Sequence, residues 1–426
     1  MARTTPSTRP TLTDSDRSDL ARLAADMLAA LRTHGGGEDG SVTRLVYTDE
    51  WLAAMAEIEG WFTDGGLSVS VDAAGTRFGR LAGAADDVVL CGSHVDSVRR
   101  GGAYDGALGV VVATCAIAWL KQACGRPARS LEVLAGCEEE SSRFPGNFWG
   151  IRALLGLISP DELDRRRDAE GIPIRGAMKA CGLDAGKIET AARSDIAAFI
   201  EPHIEQGPVL ESGGLDIGIV DKVVGVRQLE LILTGASGHA GTTPMDARRD
   251  PLIAASEIAL EARATAHRTG GEAVATVGCL EVEPGGANQV PGRVRMAIDF
   301  RYADDSTLDG MQEELLTIAL TAAERNSVTC ASDVRLSQKP AEFDLQLRSV
   351  IQRACDGVGC GWTTMRSGAG HDAQLVANYL PAAMFFLPSR GGVSHRPDEY
   401  TAIEHIVTGI EVLISALFDL GYGYGG

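Results

Sequence analysis

Hydrophobic and polar positions alternate in two ways along the chain, and each way predicts a different kind of domain. In the first, short apolar runs end in polar or glycine-rich motifs near residues 86–96, 130–140 and 196–207, and an apolar helical run covers residues 106–123. Short apolar runs of this length are typical of buried strands. Strands that alternate with helices favour a parallel, doubly wound sheet, so these parts of the chain predict an α/β fold.

Between residues 217 and 332 the pattern changes to long alternating strands and two helices. Two helices packed on one antiparallel sheet form an α+β unit with its own core. The βα pattern then resumes, so we interpret the middle segment as an insertion. The predicted organisation is a doubly wound mixed-sheet domain, residues 1–216 and 333–426, interrupted by an inserted α+β domain, residues 217–332.

Charge and cysteine content narrow the class of protein. The net charge is −19, from 39 basic and 58 acidic residues, which argues against nucleic-acid and anionic-membrane partners. The nine cysteines are scattered without a Cys-x-x-Cys motif, a pattern typical of reduced thiols in a cytoplasmic enzyme. The polar N-terminus does not have the pattern of a signal peptide, and no uncharged apolar run of 18 residues predicts a membrane span.

Five imidazole and carboxylate side chains stand in short glycine-rich or acidic motifs. Carboxyl ends of parallel strands meet at one edge of a sheet, so we expect these side chains to form one site. Three imidazoles and two carboxylates suit Zn²⁺, Mn²⁺ or Ni²⁺. Five ligands would suit two metals that share a carboxylate and a bridging water, which predicts a hydrolase. The five are His94, Asp105, Glu140, His203 and His395.

The motif SHVDSVRRGGAYDG, residues 93–106, is the strongest of these signals. His94 is predicted to end a strand, and Asp96 is placed to hydrogen-bond its other ring nitrogen. Glycines allow the sharp turns that would return Asp105 to the same site, and Asp105 is also an N-cap type residue for the next helix. The alternative is an ordinary glycine-rich loop with a capping Asp, which the recurrence of such motifs at three other strand ends disfavours.

The acidic triplet, residues 138–140, has two interpretations. Three adjacent carboxylates are usually a solvated charge run. At the end of a strand beside a metal site, one of them would bind metal, and its neighbour would take a proton from the activated water and pass it to a leaving nitrogen.

Other candidates lie in the inserted domain and in a later loop. His239 is either a structural residue of a glycine-rich turn or a donor to a tetrahedral oxyanion. Arg301 offers a fork for a substrate carboxylate, although an Arg on a strand is more often in a surface ion pair. The loop at residues 367–373 could hold a small anion on its backbone N–H groups, and His371 within it has no assigned role.

In combination, these ordered motifs resemble the dinuclear-zinc amidohydrolase and peptidase superfamily. HIEQGPVLE, GGAYDG and GHAGTTPM are similar to one branch, the N-carbamoyl-L-amino acid hydrolases, β-ureidopropionase-type enzymes and allantoate amidohydrolases. The similarity covers roughly residues 45 to 420, and His203 stands where other branches often have an acidic residue. The resemblance implies hydrolysis of a ureido carbon–nitrogen bond, with release of ammonia and carbon dioxide.

The resemblance also implies a ligand set for two divalent metal ions per subunit. Asp105 would bridge them, His94 and His203 would complete one shell, and Glu140 and His395 the other. Zn²⁺ is the first candidate, with Mn²⁺, Ni²⁺ and Co²⁺ as the others.

Glu139 would be the general base by the same resemblance. The inserted domain would act as a lid and as the dimerisation surface of a homodimer, with His239 reaching the partner's site. Substrate contacts are implied for His239, Gln206, Asn288, Arg301 and the backbone of Ala369 and Gly370.

Two departures from the family pattern stand beside these residues. Ser141 follows the acidic triplet where Gly is common, and Arg396 follows His395 where a small polar residue is common.

Three rival functions remain. One rival is an amidase or dipeptidase on the same scaffold. Another is an inactive binding protein, disfavoured because the five ligand positions and the base are all filled. A serine hydrolase is disfavoured because no G-x-S-x-G motif occurs.

Overall fold

The computed structural model describes residue 9, residues 11–146 and residues 148–423, so residues 1–8 of the polar N-terminal segment lie outside it. The chain forms two compact units: Met1–Asp221 with Glu342–Gly426, and Lys222–Ala341. These limits differ from the predicted 217 and 332 because residues 217–221 run in the sheet of the larger unit. Residues 333–338, in turn, complete a strand of the smaller one.

The larger unit is built on a nine-stranded mixed sheet. Its strand order is β1-β2-β4-β3-β5-β15-β6-β13, with β14 paired to β6. Strands β4, β3, β5 and β15 run parallel to one another, so their carboxyl ends meet at one edge. The strands are β1 (Ser68–Val71), β2 (Arg77–Leu81), β3 (Ala85–His94), β4 (Arg129–Gly136), β5 (Ile196–Ile204), β6 (Ile217–Val223), β13 (Ala341–Glu342), β14 (Trp362–Ser367) and β15 (Ala382–Leu387).

Ten helices among the described residues belong to this unit. Helices α2, α3, α10 and α12 pack on strands of the sheet, and α1 packs on α3 and α12. They are α1 (Asp14–Thr33), α2 (Asp49–Asp64), α3 (Ala107–Cys124), α4 (Trp149–Leu154), α5 (Glu162–Arg165), α6 (Ile174–Ala180), α7 (Val209–Gly213), α10 (Leu345–Val358), α11 (Asp372–Val376) and α12 (Ile403–Tyr422).

Helix α1 begins earlier than the apolar pattern predicts. The sequence pattern places its start near Ser18, but Thr13 and Asp16 form a capping box. The Thr13 hydroxyl accepts the Asp16 N–H at 3.1 Å, and the Asp16 carboxylate accepts the Thr13 N–H at 2.8 Å. Two otherwise unpaired backbone donors are thereby satisfied, which extends the helix by a turn. Helix α2 begins at Asp49, with Thr48 as its N-cap.

Helix α3 fills the centre of the larger unit. It is the one helix of the described residues long and apolar enough to cross a membrane, and 72% of it is buried inside the molecule. Gly109 lets it approach the sheet closely, since a Cβ there would lie 2.2 Å from the carbonyl oxygen of Pro202 in β5. The start of α3 is therefore fixed against the strand that carries His203.

The smaller unit is an antiparallel sheet covered by two helices. Its sheet has the order β12-β7-β11-β9, a separate two-stranded ribbon joins β8 and β10, and a core of Leu, Ile, Met, Ala and Phe side chains lies beneath the helices. This arrangement confirms the predicted α+β insertion. The elements are β7 (Gly225–Thr234), β8 (Gly238–His239), β9 (Val274–Glu283), β10 (Gln289–Val290), β11 (Arg293–Tyr302), β12 (Thr329–Gln338), α8 (Pro251–Thr269) and α9 (Asp305–Arg325).

Candidate active site

The structure brings the five predicted metal-binding side chains into one cluster at the edge of the large sheet. His203 Nε2 lies 3.1 Å from Asp105 Oδ1, and His94 Nε2 lies 3.6 Å from the same oxygen. The other oxygen, Oδ2, lies 3.0 Å from His395 Nε2, which is 3.3 Å from Glu140 Oε1. Asp105 thus faces two imidazoles with one oxygen and a His–Glu pair with the other, an arrangement suited to a carboxylate shared by two cations.

Backbone carbonyls fix the orientation of two of these imidazoles. His94 Nδ1 lies 3.0 Å from the carbonyl oxygen of Asp96, and His203 Nδ1 lies 3.0 Å from that of Ile204. A carbonyl accepts only, so each Nδ1 carries the proton in the neutral ring, and the lone pair of each Nε2 is available to a bound cation. That is the tautomer a metal requires.

The buried carboxylate oxygens of the cluster also fit a bound cation. Among the described residues, neither Asp105 Oδ1 nor Glu140 Oε1 accepts a hydrogen bond, and a buried oxygen left in that state is costly. Burial opposes ionisation of Asp105, but the three imidazoles outweigh it and hold its pKa well below the usual range. The donor set and the unsatisfied oxygens together fit divalent metal ions such as Zn²⁺.

The acidic triplet is divided by the backbone rather than solvated as a charge run. Glu138 turns into the protein, where its Oε1 accepts the N–H groups of Arg143 at 2.9 Å and Phe144 at 2.6 Å. Glu139 and Glu140 instead offer carboxylate oxygens within 4.8 Å of a His94 nitrogen. Burial, opposed by His94 and reinforced by Glu140, raises the pKa of Glu139 well above its usual value.

Asp96 holds this acidic turn in place. Its carboxylate accepts the backbone N–H of Glu139 on one oxygen and that of Glu140 on the other, both at 3.2 Å. The sequence predicted a side-chain contact to His94, and the carboxylate lies 3.8 Å from that ring, farther than the Asp96 carbonyl. The N–H groups of the turn draw it away. Ser141, next along the chain, has a φ of +53°, a conformation that Gly adopts without strain.

Gly106 is required at the start of α3. It has a φ of +63°, and a Cβ there would lie 2.5 Å from the ring of His94. It is also the N-cap of α3, which corrects the expected capping role of Asp105. The Asp105 side chain is instead committed to the imidazoles, and the Gly106 N–H faces His203 Nε2 at 3.2 Å.

Two predicted substrate-binding elements of the larger unit have protein partners. Gln206 donates from Nε2 to Asp105 Oδ2 at 2.8 Å, so its amide supports the shared carboxylate. The Ala369 N–H donates to the Ser367 hydroxyl at 3.1 Å, which turns this donor away from the predicted anion site. Gly370 follows in the same half-buried loop.

The predicted residues of the smaller unit lie on strand ends and turns. His239 is exposed, and its Nδ1 accepts the Gly241 N–H at 3.0 Å, so Nε2 carries the proton in the neutral ring. Asn288 lies beside it, because its carbonyl accepts the Ala240 N–H at 3.0 Å. Arg301 on β11 donates to Asp299 at 2.8 Å and remains about one-third exposed.

Sequence reasoning missed several residues that hold the cluster. Glu201 accepts the Ser93 hydroxyl at 2.6 Å and the Ala373 N–H at 2.7 Å, which joins β3, β5 and α11. His371, left without a role, packs its ring 4.5 Å from that of His203, and burial with His203 lowers its pKa well below the usual value. Glu399 contacts two loops of the site. The only available signal for these residues was a carboxylate or imidazole in an otherwise apolar or glycine-rich stretch.

The chain matches a known protein family over most of its length. The pattern of Peptidase family M20/M25/M40 matches residues 87–419. The chain belongs to this family. It is 38% identical over 399 residues to the allantoate amidohydrolase of Bacillus subtilis (strain 168), covering 93% of this chain and 97% of that one. It is 37% identical to the N-carbamoyl-L-amino-acid amidohydrolase of Paenarthrobacter aurescens, covering 89% and 93%.

The solved structures agree with this assignment. The chain resembles a hydantoinase/carbamoylase family amidase from Burkholderia multivorans with a TM-score of 0.85 and 32% identity, covering 94% of this chain and 98% of that one. This M20 chain is therefore an amidohydrolase, and its mixed α/β fold with a separate helix-covered antiparallel sheet is that of the family. Family membership and the His, Asp and Glu clusters support the use of divalent metal ions.

Proposed function

We propose that this M20 enzyme hydrolyses the ureido carbon–nitrogen bond of an N-carbamoyl amino acid or a related ureido acid, releasing ammonia and carbon dioxide in the cytoplasm. The names of its relatives support ureido chemistry. The observation that carries the proposal is the double-sided contact of Asp105, which has two imidazoles at one oxygen and His395 at the other.

We assign two divalent ions per subunit to this cluster, with Zn²⁺ as the first candidate and Mn²⁺, Ni²⁺ and Co²⁺ as the others. His94 and His203 would hold one ion, Glu140 and His395 the other, and Asp105 both. Bound ions of this kind bring the pKa of a water toward neutrality and polarise a carbonyl oxygen.

Glu139 is assigned the proton transfers. Its carboxylate would take the proton of the attacking water and deliver it to the leaving nitrogen. The N–H of Glu139 is held by Asp96, and the N–H of Glu140 by the other oxygen of the same carboxylate. A general base beside a metal ligand must keep its direction through both transfers, and this shared anchor supplies that constraint.

The residues of the smaller unit are assigned to the substrate. His239 donates from Nε2, the nitrogen left free by the Gly241 contact, to the developing oxyanion. Arg301 binds the substrate carboxylate, with Asp299 holding one side of its guanidinium fork. Asn288, Gln206 and the Ala369–Gly370 backbone complete the substrate contacts. We further propose a homodimer in which His239 acts on the partner's substrate.

A substrate panel tests this function. The metal-loaded enzyme is assayed for ammonia release from allantoate, N-carbamoyl-β-alanine and several N-carbamoyl-L-amino acids, and for acetate release from one N-acetyl amino acid. A ureido acid should exceed the N-acetyl acid in kcat/KM by at least about 100-fold, since a site built for one polar group strongly rejects its replacement. Preference for the N-acetyl compound would favour the rival amidase function instead.

Arg301→Ala sharpens the same panel. Loss of the guanidinium should raise KM for ureido acids about 10- to 100-fold, the value of a charge-assisted contact of roughly 1.5–3 kcal/mol, and should leave neutral ureido amides nearly unchanged. Arg335→Ala, which removes another partly exposed Arg of the same unit, is the matched control. An equal effect on acids and neutral amides would contradict the carboxylate role.

A further inference from the structure

The carboxylate of Glu399 lies between two loops that reach the active site from distant parts of the chain. Its Oε1 accepts the N–H groups of Tyr104 at 2.8 Å and Asp105 at 3.0 Å. Its Oε2 accepts the hydroxyl of Ser394 at 2.8 Å and the N–H of His395 at 3.2 Å. One buried side chain therefore contacts the backbone of two proposed metal ligands that are 290 residues apart in sequence.

We propose that Glu399 is a positioning residue that sets the separation of Asp105 and His395, and with it the affinity of the site for the metal that these two share. The inference rests on the proposed function, because it takes both residues as ligands. Glu399 is not itself a ligand candidate, because both of its oxygens are already occupied by N–H or O–H donors.

Because Glu399 is buried, its carboxylate depends on the hydrogen-bond donors of both loops. The side chain is 5% exposed, and a carboxylate removed from water is costly unless hydrogen-bonded donors replace the solvent. Four donors do so here, two from each loop. Since the two pairs come from different segments, displacement of either loop would leave an oxygen without its partners.

Backbone strain at His395 gives a second, independent argument. Its φ is +58°, a left-handed conformation that a non-glycine residue holds only when its surroundings impose it. The contact of its N–H with Glu399 Oε2 is one such constraint. The Ser394 hydroxyl adds another, since it lies 3.0 Å from Asp105 Oδ2 as well as 2.8 Å from Glu399.

Gly102 provides the space that Glu399 occupies. A Cβ at Gly102 would lie 2.0 Å from Glu399 Oε1 and 2.5 Å from its Cβ. The second contact involves the rigid base of the side chain, so rotation of the carboxylate alone would not relieve it. Gly102→Ala therefore displaces Glu399 while its charge is retained, and serves as an independent variant beside Glu399→Gln.

The test measures metal binding rather than turnover. Zn²⁺ affinity is determined by competition with a chelating dye, and the Co²⁺-substituted protein is examined by absorption spectroscopy. Glu399→Gln and Gly102→Ala should each weaken Zn²⁺ binding at one of the two sites about 10- to 100-fold, the usual effect of removing a partner of a metal ligand, and should shift the Co²⁺ bands.

Glu162→Gln is the matched control. Glu162 is also a buried carboxylate of the larger unit, but its described contacts are Arg152, Arg166 and the N–H of Ser159. This variant should lower the unfolding temperature and keep both Zn²⁺ affinities. In the metal-free protein, hydrogen exchange at residues 104–105 and 394–395 should accelerate in Glu399→Gln and remain unchanged in Glu162→Gln.

Three outcomes would overturn the inference. Zn²⁺ affinities within twofold of the wild type in both Glu399→Gln and Gly102→Ala would show that the Glu399 contacts do not affect metal binding. An equal loss of affinity in Glu162→Gln would reduce the effect to general destabilisation. If the wild-type protein itself binds no divalent ion, the proposed function is contradicted as well. That result differs from the case in which the wild type binds Zn²⁺ and the Glu399 variants bind it equally well.

Discussion

Three of the proposed metal ligands in the larger unit are buried and held by several partners each, whereas the proposed substrate-binding residues His239 and Asn288 of the smaller unit are exposed. His94, Asp105 and His203 are each less than 10% exposed, and backbone carbonyls, amides or neighbouring carboxylates fix all three. His239 has one described ring contact, to Gly241. Buried, multiply held groups are suited to fixed chemistry, and exposed strand-end groups to recognition that adjusts to a ligand.

The strongest test of this comparison is to remove the proposed general base, Glu139, which lies among the buried residues of the larger unit. Glu139→Gln should lower kcat about 100- to 10,000-fold, the range for loss of a general base, while bound metal per subunit stays at the wild-type value. The measurement is kcat together with metal content by elemental analysis.

Glu138→Gln is its neighbour control. The Glu138 carboxylate anchors the following loop, so this variant should lower the unfolding temperature and retain most of the turnover per metal-loaded subunit. If Glu139→Gln retains turnover and Glu138→Gln loses it, Glu138 and not Glu139 is the general base.

On the exposed side, His239→Ala should have a smaller or comparable effect. Loss of one oxyanion donor should cost about 100- to 1,000-fold in kcat, with unchanged metal content. His267→Ala, another exposed His of the same unit, should behave as wild type.

Mixed dimers then test whether the exposed residue acts across subunits. Co-refolded His239→Ala and Glu139→Gln subunits should recover activity, up to roughly a quarter of the wild type per subunit if half of the dimers are mixed and each has one intact site. If the mixture is no more active than the two parent variants, His239 acts in the site of its own subunit.

The smallest expected effect concerns Ser141. Ser141→Gly should retain full activity and change the free energy of unfolding by at most about 1 kcal/mol, because relief of the left-handed backbone stabilises the fold while greater chain entropy opposes it. Ser141→Val, a β-branched residue at the same φ, should be clearly less stable. Equal melting temperatures for Gly and Val would show that this turn carries no strain.

The fold and the grouping of the five proposed ligands could be predicted because both depend on periodic patterns. Apolar strands that end in polar motifs place His94 and His203 at one sheet edge, and the alternating segment from 217 to 332 marks the insertion. The capping box that extends α1 and the Gly106 cap of α3 depend on single local contacts, which apolar periodicity does not report.

The residues that hold the site were harder to predict for a physical reason. Glu138, Glu201 and Glu399 each accept backbone or hydroxyl donors from segments that are distant or that turn back on themselves. A carboxylate that organises loops has the same sequence appearance as one that faces water. Only the fold shows which donors surround it.

The fit between Gly102 and Glu399, together with the contact of Gly106 with His94, has a consequence for changing this enzyme by directed evolution. Both glycines lie in the connection between β3 and α3, residues 95–106, and neither position accepts even a methyl group without moving a side chain of the site. Mutant libraries aimed at this loop would consist mostly of inactive clones. Mutagenesis is better directed at the positions around His239, Asn288 and Arg301. Exposed positions there tolerate substitution, so a new substrate preference can be selected without changing the proposed metal ligands.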